Sequence, residues 1–160
     1  MFSPSLLQLA QRILAKARAA KLRLVTAESC TGGLVAGVLT EIPGSSDVLD
    51  RGFVTYSNEA KTDLLGVPPH LIETKGAVSE EVVRAMAEGA LRHANISIAV
   101  TGIAGPDGGT AGKPVGLVHF AAARKDRGTI HKVHHFGDIG RHEIRMRSVE
   151  AALKLLENLL

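Results

Sequence analysis

The chain is poor in the residues that usually advertise function. It has one cysteine, no tryptophan, one tyrosine and four phenylalanines, so aromatics make up 3% of its 160 residues. A lone thiol, Cys30, closes no internal disulfide, which fits a reducing compartment. So few rings leave little to stack along a nucleic acid, and the 19 basic residues are scattered against 16 acidic ones, for a net charge of +3. Lys125, Arg127 and Lys132 do gather, but beside a predicted hairpin, where exposed turn residues explain them. No apolar run approaches the ~20 residues of a membrane span. The N-terminus also lacks the basic, apolar and small-residue series of a signal peptide. The expectation is a cytoplasmic protein with no nucleic-acid or membrane partner.

What is present is a globular composition, 45% hydrophobic and 22% charged, at the length of one domain with a real core. Residues 4–20 read as an amphipathic helix with Leu6, Ala10, Ile13 and Ala17 on one face. A strand at 22–27 leads into a Ser29/Gly33 turn and a helix to about Thr40. The β-rich run 48–57 supplies the next strand. Ser57 or Asn58 then caps a short helix carrying Lys61, which stops near Gly66 to Pro69. After a loop, Ser79 with Glu80 and Glu81 starts a helix, by capping and dipole complementarity. A strand at 95–101, paired strands at 115–123 and 129–136, and a closing helix from Arg141 complete the chain. Strands alternating with helices predict a three-layer α/β/α sandwich with a mixed, mostly parallel sheet, as a single unit over 1–160.

Chemistry concentrates in two glycine-rich loops that each follow a strand. The first, Thr26-Ala27-Glu28-Ser29-Cys30-Thr31-Gly32-Gly33, brings hydroxyls and bare backbone to a helix start, a place suited to a phosphate or an oxyanion. Ser29 is the candidate nucleophile, although a serine there can equally be a helix cap. Glu28 can orient a substrate hydroxyl or serve as a structural carboxylate. Cys30 beside the glycines reads as a nucleophile or as a small filler. The second loop holds Gly102, Gly105, Pro106, Asp107, Gly108 and Gly109, and its length within a compact chain points to function. It lacks the lysine–serine ending of a nucleoside-triphosphate loop.

A serine needs a base. None of the seven histidines lies in either loop, and His134 and His135 alternate on a strand, so neither a Ser–His pair nor a metal site is expected. Lys61 follows a strand and can reach the sheet edge where Ser29 sits, though a lysine on a helix is also commonly solvated. Burial would be needed to make it a base. Arg141, Arg145 and Arg147 open the last helix, against its dipole. A bound anion or simple solvation explains them.

Four motifs in order, residues 26–33, Gly52 to Lys61, Gly76-Ala77-Val78-Ser79 and Thr101 to Gly109 with Lys113 to Gly116, resemble the CinA C-terminal domain family, the bacterial nicotinamide-nucleotide amidases. The similarity covers nearly the whole chain. It implies an α/β/α fold, often in homo-oligomers, and hydrolysis of nicotinamide mononucleotide (NMN) to nicotinic acid mononucleotide and ammonia, a step in pyridine-nucleotide recycling. It implies no metal and no cofactor. The family's Ser–Lys arrangement falls on Ser29 and Lys61, with Tyr56 alongside. Substrate binding would fall to Glu28, Thr31, Gly32, Gly33, the 102–109 loop and Arg141 or Arg145. A departure from the family pattern between Gly137-Asp138 and the last helix leaves the choice of arginine open. The alternative is a non-catalytic nucleotide-binding or competence/damage-related regulatory module.

Overall fold

The computed structural model describes residues 1–160. In chain order it contains α1 (Pro4–Ala19), β1 (Leu24–Glu28), α2 (Leu34–Thr40), β2 (Leu49–Val54), α3 (Asn58–Leu65), α4 (Pro69–Lys75), α5 (Glu80–Ala90), β3 (Ile96–Gly102), β4 (Leu117–Arg124), β5 (Gly128–His135) and α6 (Arg141–Glu157). The strands form one sheet in the order β2-β1-β3-β4-β5. β1 pairs in parallel with β2 and β3, whereas β3–β4 and β4–β5 are antiparallel. Only β4 therefore runs against the other strands.

The middle strands are apolar on both faces because helices cover both. Leu24, Ile96, Ile98, Val118 and Phe120 face α1, α2 and α6 across a core that includes Ile13, Val38, Ile144 and Leu153. Val25, Ala27, Ala99 and Ala121 face the opposite layer, where Leu65, Ile72, Val82, Val83 and Met86 pack from α3, α4 and α5. This is the three-layer α/β/α arrangement.

One element departs from the sequence reading. Residues 69–75, taken as loop, form α4. Pro68-Pro69 marks the end of α3, but Pro69 at the first helical position also suits a helix start, since its missing N–H is not needed there. Burial of Ile72 then holds the short helix down.

Two features of this frame place the site. From β1 the chain crosses to β2 on one side and later returns as β3 on the other, so the ends of β1 and β3 flank a crevice where α/β sheets bind ligands. In addition, α5 lies against the end of α3 so closely that a Cβ on Gly89 would sit 1.8 Å from the Leu65 carbonyl oxygen. That backbone contact fixes the height of α3, and with it Lys61.

Candidate active site

The first loop starts where β1 ends. Ser29 N–H donates to the Val100 carbonyl of β3 at 3.0 Å, and Thr55 N–H donates to the Glu28 carbonyl at 2.8 Å. Three strand ends are thus stitched together around Ser29. Ser57 caps α3 by accepting from Ala60 N–H at 3.0 Å. One turn on, Lys61 and Leu65 form the helix's buried face.

Lys61 is 1% exposed. Its Nζ donates to the Thr55 carbonyl at 2.7 Å and to Ser29 Oγ at 3.1 Å, and lies 3.5 Å from the Tyr56 carbonyl. No carboxylate bonds it. Burial lowers its pKa from the ordinary lysine value, because the ammonium loses hydration without gaining a counter-charge. Once neutral, the amine offers Ser29 a lone pair. The neighbouring thiol is the opposite case: burial pushes Cys30 up to about 12, so it stays protonated and inert.

Around this pair lies a cavity of about 260 Å³. Of the residues expected from the sequence, it is lined by Ser29, Lys61, Tyr56, Gly102, Gly105, Asp107, Gly108 and Arg141. The main-chain N–H groups of Ala104, Gly105, Asp107, Gly108 and Gly109 find no acceptor within the protein, so the second loop offers a run of donors. Lys113 Nζ ties that loop to the Lys75 carbonyl at the end of α4 at 2.6 Å, and Thr101 Oγ1 ties it to the Ala77 carbonyl at 2.9 Å.

The other expected residues lie elsewhere. Glu28 is 1% exposed and turns away from the cavity. Its carboxylate accepts from the N–H groups of Gly33, Val35 and Ala36 at 3.1, 3.0 and 2.9 Å, capping α2, whose own cap position is a glycine. Thr31 is fully buried, with its hydroxyl unpartnered. Gly32 and Gly33 spend their N–H groups on Ser29 O and Glu28, leaving neither for a ligand. Pro106 and Gly109 belong to the second loop but not to the cavity wall.

The two arginines separate. Arg141 lines the cavity, donating to the Gly105 carbonyl at 2.7 Å and to Tyr56 Oη at 3.0 Å. Arg145 lies behind the first loop, donating to the Cys30 and Thr31 carbonyls at 3.0 and 3.2 Å. Tyr56 is 60% exposed, and its hydroxyl bonds Arg141, not the Ser–Lys pair. Its carbonyl is the part of the residue near Lys61.

Sequence reasoning did not single out Asn58, Ala77, Val78, Thr101, Ile103 or Ala104, which complete the wall with Cys30. Two signals were available. The Gly76–Ser79 motif contains Ala77 and Val78, and Thr101 stands directly before the second glycine loop. Apolar wall residues carry no chemistry by type, so only their place in the fold reveals them. No group of three or more His, Cys, Asp or Glu is arranged to hold a metal ion, and no helix is long and apolar enough to cross a membrane.

The family model of the CinA C-terminal domain matches residues 6–160. The chain belongs to the CinA family. A CinA-like protein of Syntrophus aciditrophicus is 50% identical over 142 residues, covering 88% of this chain and 34% of the relative. A CinA-like protein of Synechococcus is 52% identical over 151 residues, covering 92% and 36%. The chain thus spans about a third of the length of these CinA relatives. Among solved structures, the competence/damage inducible protein CihA from Agrobacterium tumefaciens superposes with a TM-score of 0.97 at 52% identity, covering 99% of this chain and 98% of that one. A CinA superfamily protein from Escherichia coli gives 0.92 at 36% identity, covering 100% and 94%. This chain shares the CinA fold with these two solved structures.

Proposed function

We propose that the protein hydrolyses the carboxamide of NMN, releasing nicotinic acid mononucleotide and ammonia through a Ser29–Lys61 nucleophile and base. The observation that carries this reading is the 3.1 Å contact between Ser29 Oγ and a fully buried lysine with no acidic partner. Burying a lysine at a serine hydroxyl without a counter-charge costs stability, and such perturbed groups cluster at functional sites. The choice of NMN rests on the family resemblance.

Lys61, neutral, accepts the Ser29 proton as Oγ forms a bond to the carboxamide carbon. The carbonyl electrons move onto oxygen, giving a tetrahedral oxyanion. The bond to nitrogen then breaks, Lys61 returns its proton to the departing nitrogen, and ammonia leaves an ester on Ser29. Water, deprotonated by Lys61, attacks the ester carbon; the bond to Oγ then breaks, Lys61 returns its proton to Oγ, and nicotinic acid mononucleotide leaves. The substrate's positively charged ring withdraws electrons from its amide. Its phosphate finds donors in the free N–H groups of the 102–109 loop and in the unused donors of Arg141.

The test is ammonia release from NMN, free nicotinamide and the dinucleotide, by the unmodified protein and by Ser29→Ala. NMN alone should be turned over, and Ser29→Ala should bind it without turnover. Near-normal turnover by Ser29→Ala rejects the nucleophile. Binding of NMN by the unmodified protein without any product leaves a nucleotide-binding module instead.

A further inference from the structure

We infer that Arg145 is a positioning residue for acyl transfer: its guanidinium holds the turn after Ser29 so that the free N–H groups following the nucleophile, first that of Cys30, which lines the cavity, receive the oxyanion. This rests on the Ser–Lys reading above. Arg145 comes from α6, 115 positions away in the chain, and forks onto two successive carbonyls, those of Cys30 and Thr31. A trans peptide group is planar, with its C=O and N–H pointing opposite ways. Drawing the Cys30 carbonyl toward Arg145 therefore aims the Thr31 N–H away from it. The Ser29 carbonyl is held in turn by the Gly32 N–H at 3.0 Å, which sets the direction of the Cys30 N–H.

Neither N–H donates to an oxygen within the protein, and that of Cys30 has only its own thiol sulfur as a weak neighbour. From Gly32 through Ala36 every N–H is spent, on Ser29 O, on Thr31 O or on Glu28. The only free main-chain donors of the turn are the two that immediately follow the nucleophile.

Gly32 gives independent support. It lies at φ +58°, and a Cβ there would come within 3.1 Å of Arg145 Nη2. The close approach that this glycine permits is made by the protein's own guanidinium. A turn holding two glycines at positive φ has little stiffness of its own. A planar two-donor fork supplies it by fixing both carbonyls in one geometry, which the freely rotating ammonium of a lysine does not.

The experiment compares Arg145→Lys, Arg145→Ala and Gly32→Ala with the unmodified protein, by steady-state NMN hydrolysis and by labelling of Ser29 with a fluorophosphonate. In that labelling Oγ bonds phosphorus, fluoride leaves and the phosphoryl oxygen takes the oxyanion's place. Each variant should lose about 10²-fold in kcat, the scale of one lost oxyanion donor, with KM within about threefold, and labelling should slow in parallel. Methylguanidinium should restore turnover to Arg145→Ala and none to Ser29→Ala. Should Arg145→Ala fail to fold, Arg145→Lys and Gly32→Ala decide the matter, their melting temperatures showing that they are folded. A folded Arg145→Lys with unchanged kcat, a loss carried by KM alone, or an Arg145→Ala that is folded yet not rescued overturns the role. Unmodified protein that neither hydrolyses NMN nor labels at Ser29 overturns the Ser–Lys reading itself. Activity and labelling that persist in Arg145→Lys overturn only the positioning role.

Discussion

Arg141 and Arg145 stand four positions apart on α6 and serve different walls of the site. Arg141 joins the second glycine loop to Tyr56 through the Gly105 carbonyl and the phenol oxygen, while Arg145 holds the turn that carries Ser29. Arginines at a helix start oppose its dipole. Here each guanidinium spends its donors on oxygen acceptors from segments far away in sequence, which offsets that penalty.

The Tyr56–Arg141 bond separates two roles for the tyrosine. Because its hydroxyl meets Arg141 and not Lys61, Tyr56→Phe should lower kcat by less than about tenfold. Arg141→Gln should raise KM for NMN more than it lowers kcat, since the guanidinium faces the cavity. Steady-state kinetics of both variants check this; a tyrosine that donates a proton in the reaction would instead lose kcat by about 10²-fold or more.

Lys61 acts only while uncharged, and burial lowers its pKa. The rate should fall as acid protonates the amine, along a limb whose midpoint lies below the ordinary lysine value of 10.5. Lys61→Arg should be inactive across the accessible pH range, because a guanidinium keeps its proton. A pH–rate profile for kcat/KM on the unmodified protein and on Lys61→Arg provides the check. A limb at 10.5 or above would mean that burial does not tune this group.

Gly89→Ala tests the frame that sets the height of Lys61. Helix propensity favours alanine by about 1 kcal/mol. Against this, the new methyl would lie 1.8 Å from the Leu65 carbonyl oxygen. Overpacking at such a contact costs about 3 kcal/mol, so the steric effect wins. The urea midpoint should drop, and activity should fall as α3 is displaced.

A histidine pair on the far strands predicts an acid-sensitive fold. His119 Nδ1 and His131 Nε2 are 2.9 Å apart, with Glu80 3.6 Å from the other nitrogen of His131. Burial is the largest cause lowering both imidazoles; His131 and Lys113 lower His119 further, and Arg84 lowers His131 against the pull of Glu80. The folded chain therefore binds fewer protons here than the unfolded one once pH drops through the unfolded value near 6.5. Stability from this pair is fully present above that value and is lost below it. The melting temperature should fall between pH 7 and pH 5, and His119→Gln should flatten the fall. An unchanged slope in that variant would assign the acid sensitivity to other groups.

Much of this was legible from local pattern. Ser57 before Asn58, and Ser79 before Glu80, announced helix starts through capping chemistry that acts within one turn. The runs at 22–27 and 95–101 read as strands from short apolar stretches that end in glycine-rich turns, and the structure shows them as the central strands β1 and β3. The start of α4 was not legible, since Pro69 serves equally to end one helix and to begin another, and only the burial of Ile72 decides. The same holds for Glu28. Its spacing to Ala36 says nothing until the turn folds back and sets its carboxylate over three N–H groups.

Composition, capping residues and strand periodicity alone determined the layered α/β class and marked both glycine loops, because those signals depend on neighbours within a turn or a strand. The partnerships were decided by tertiary structure. Lys61 meets Ser29 across 32 positions, and Arg145 meets the Ser29 turn across more than a hundred. Which cation is buried beside a hydroxyl, and which instead braces a peptide, depends on how parallel strands and the closing helix bring distant segments together.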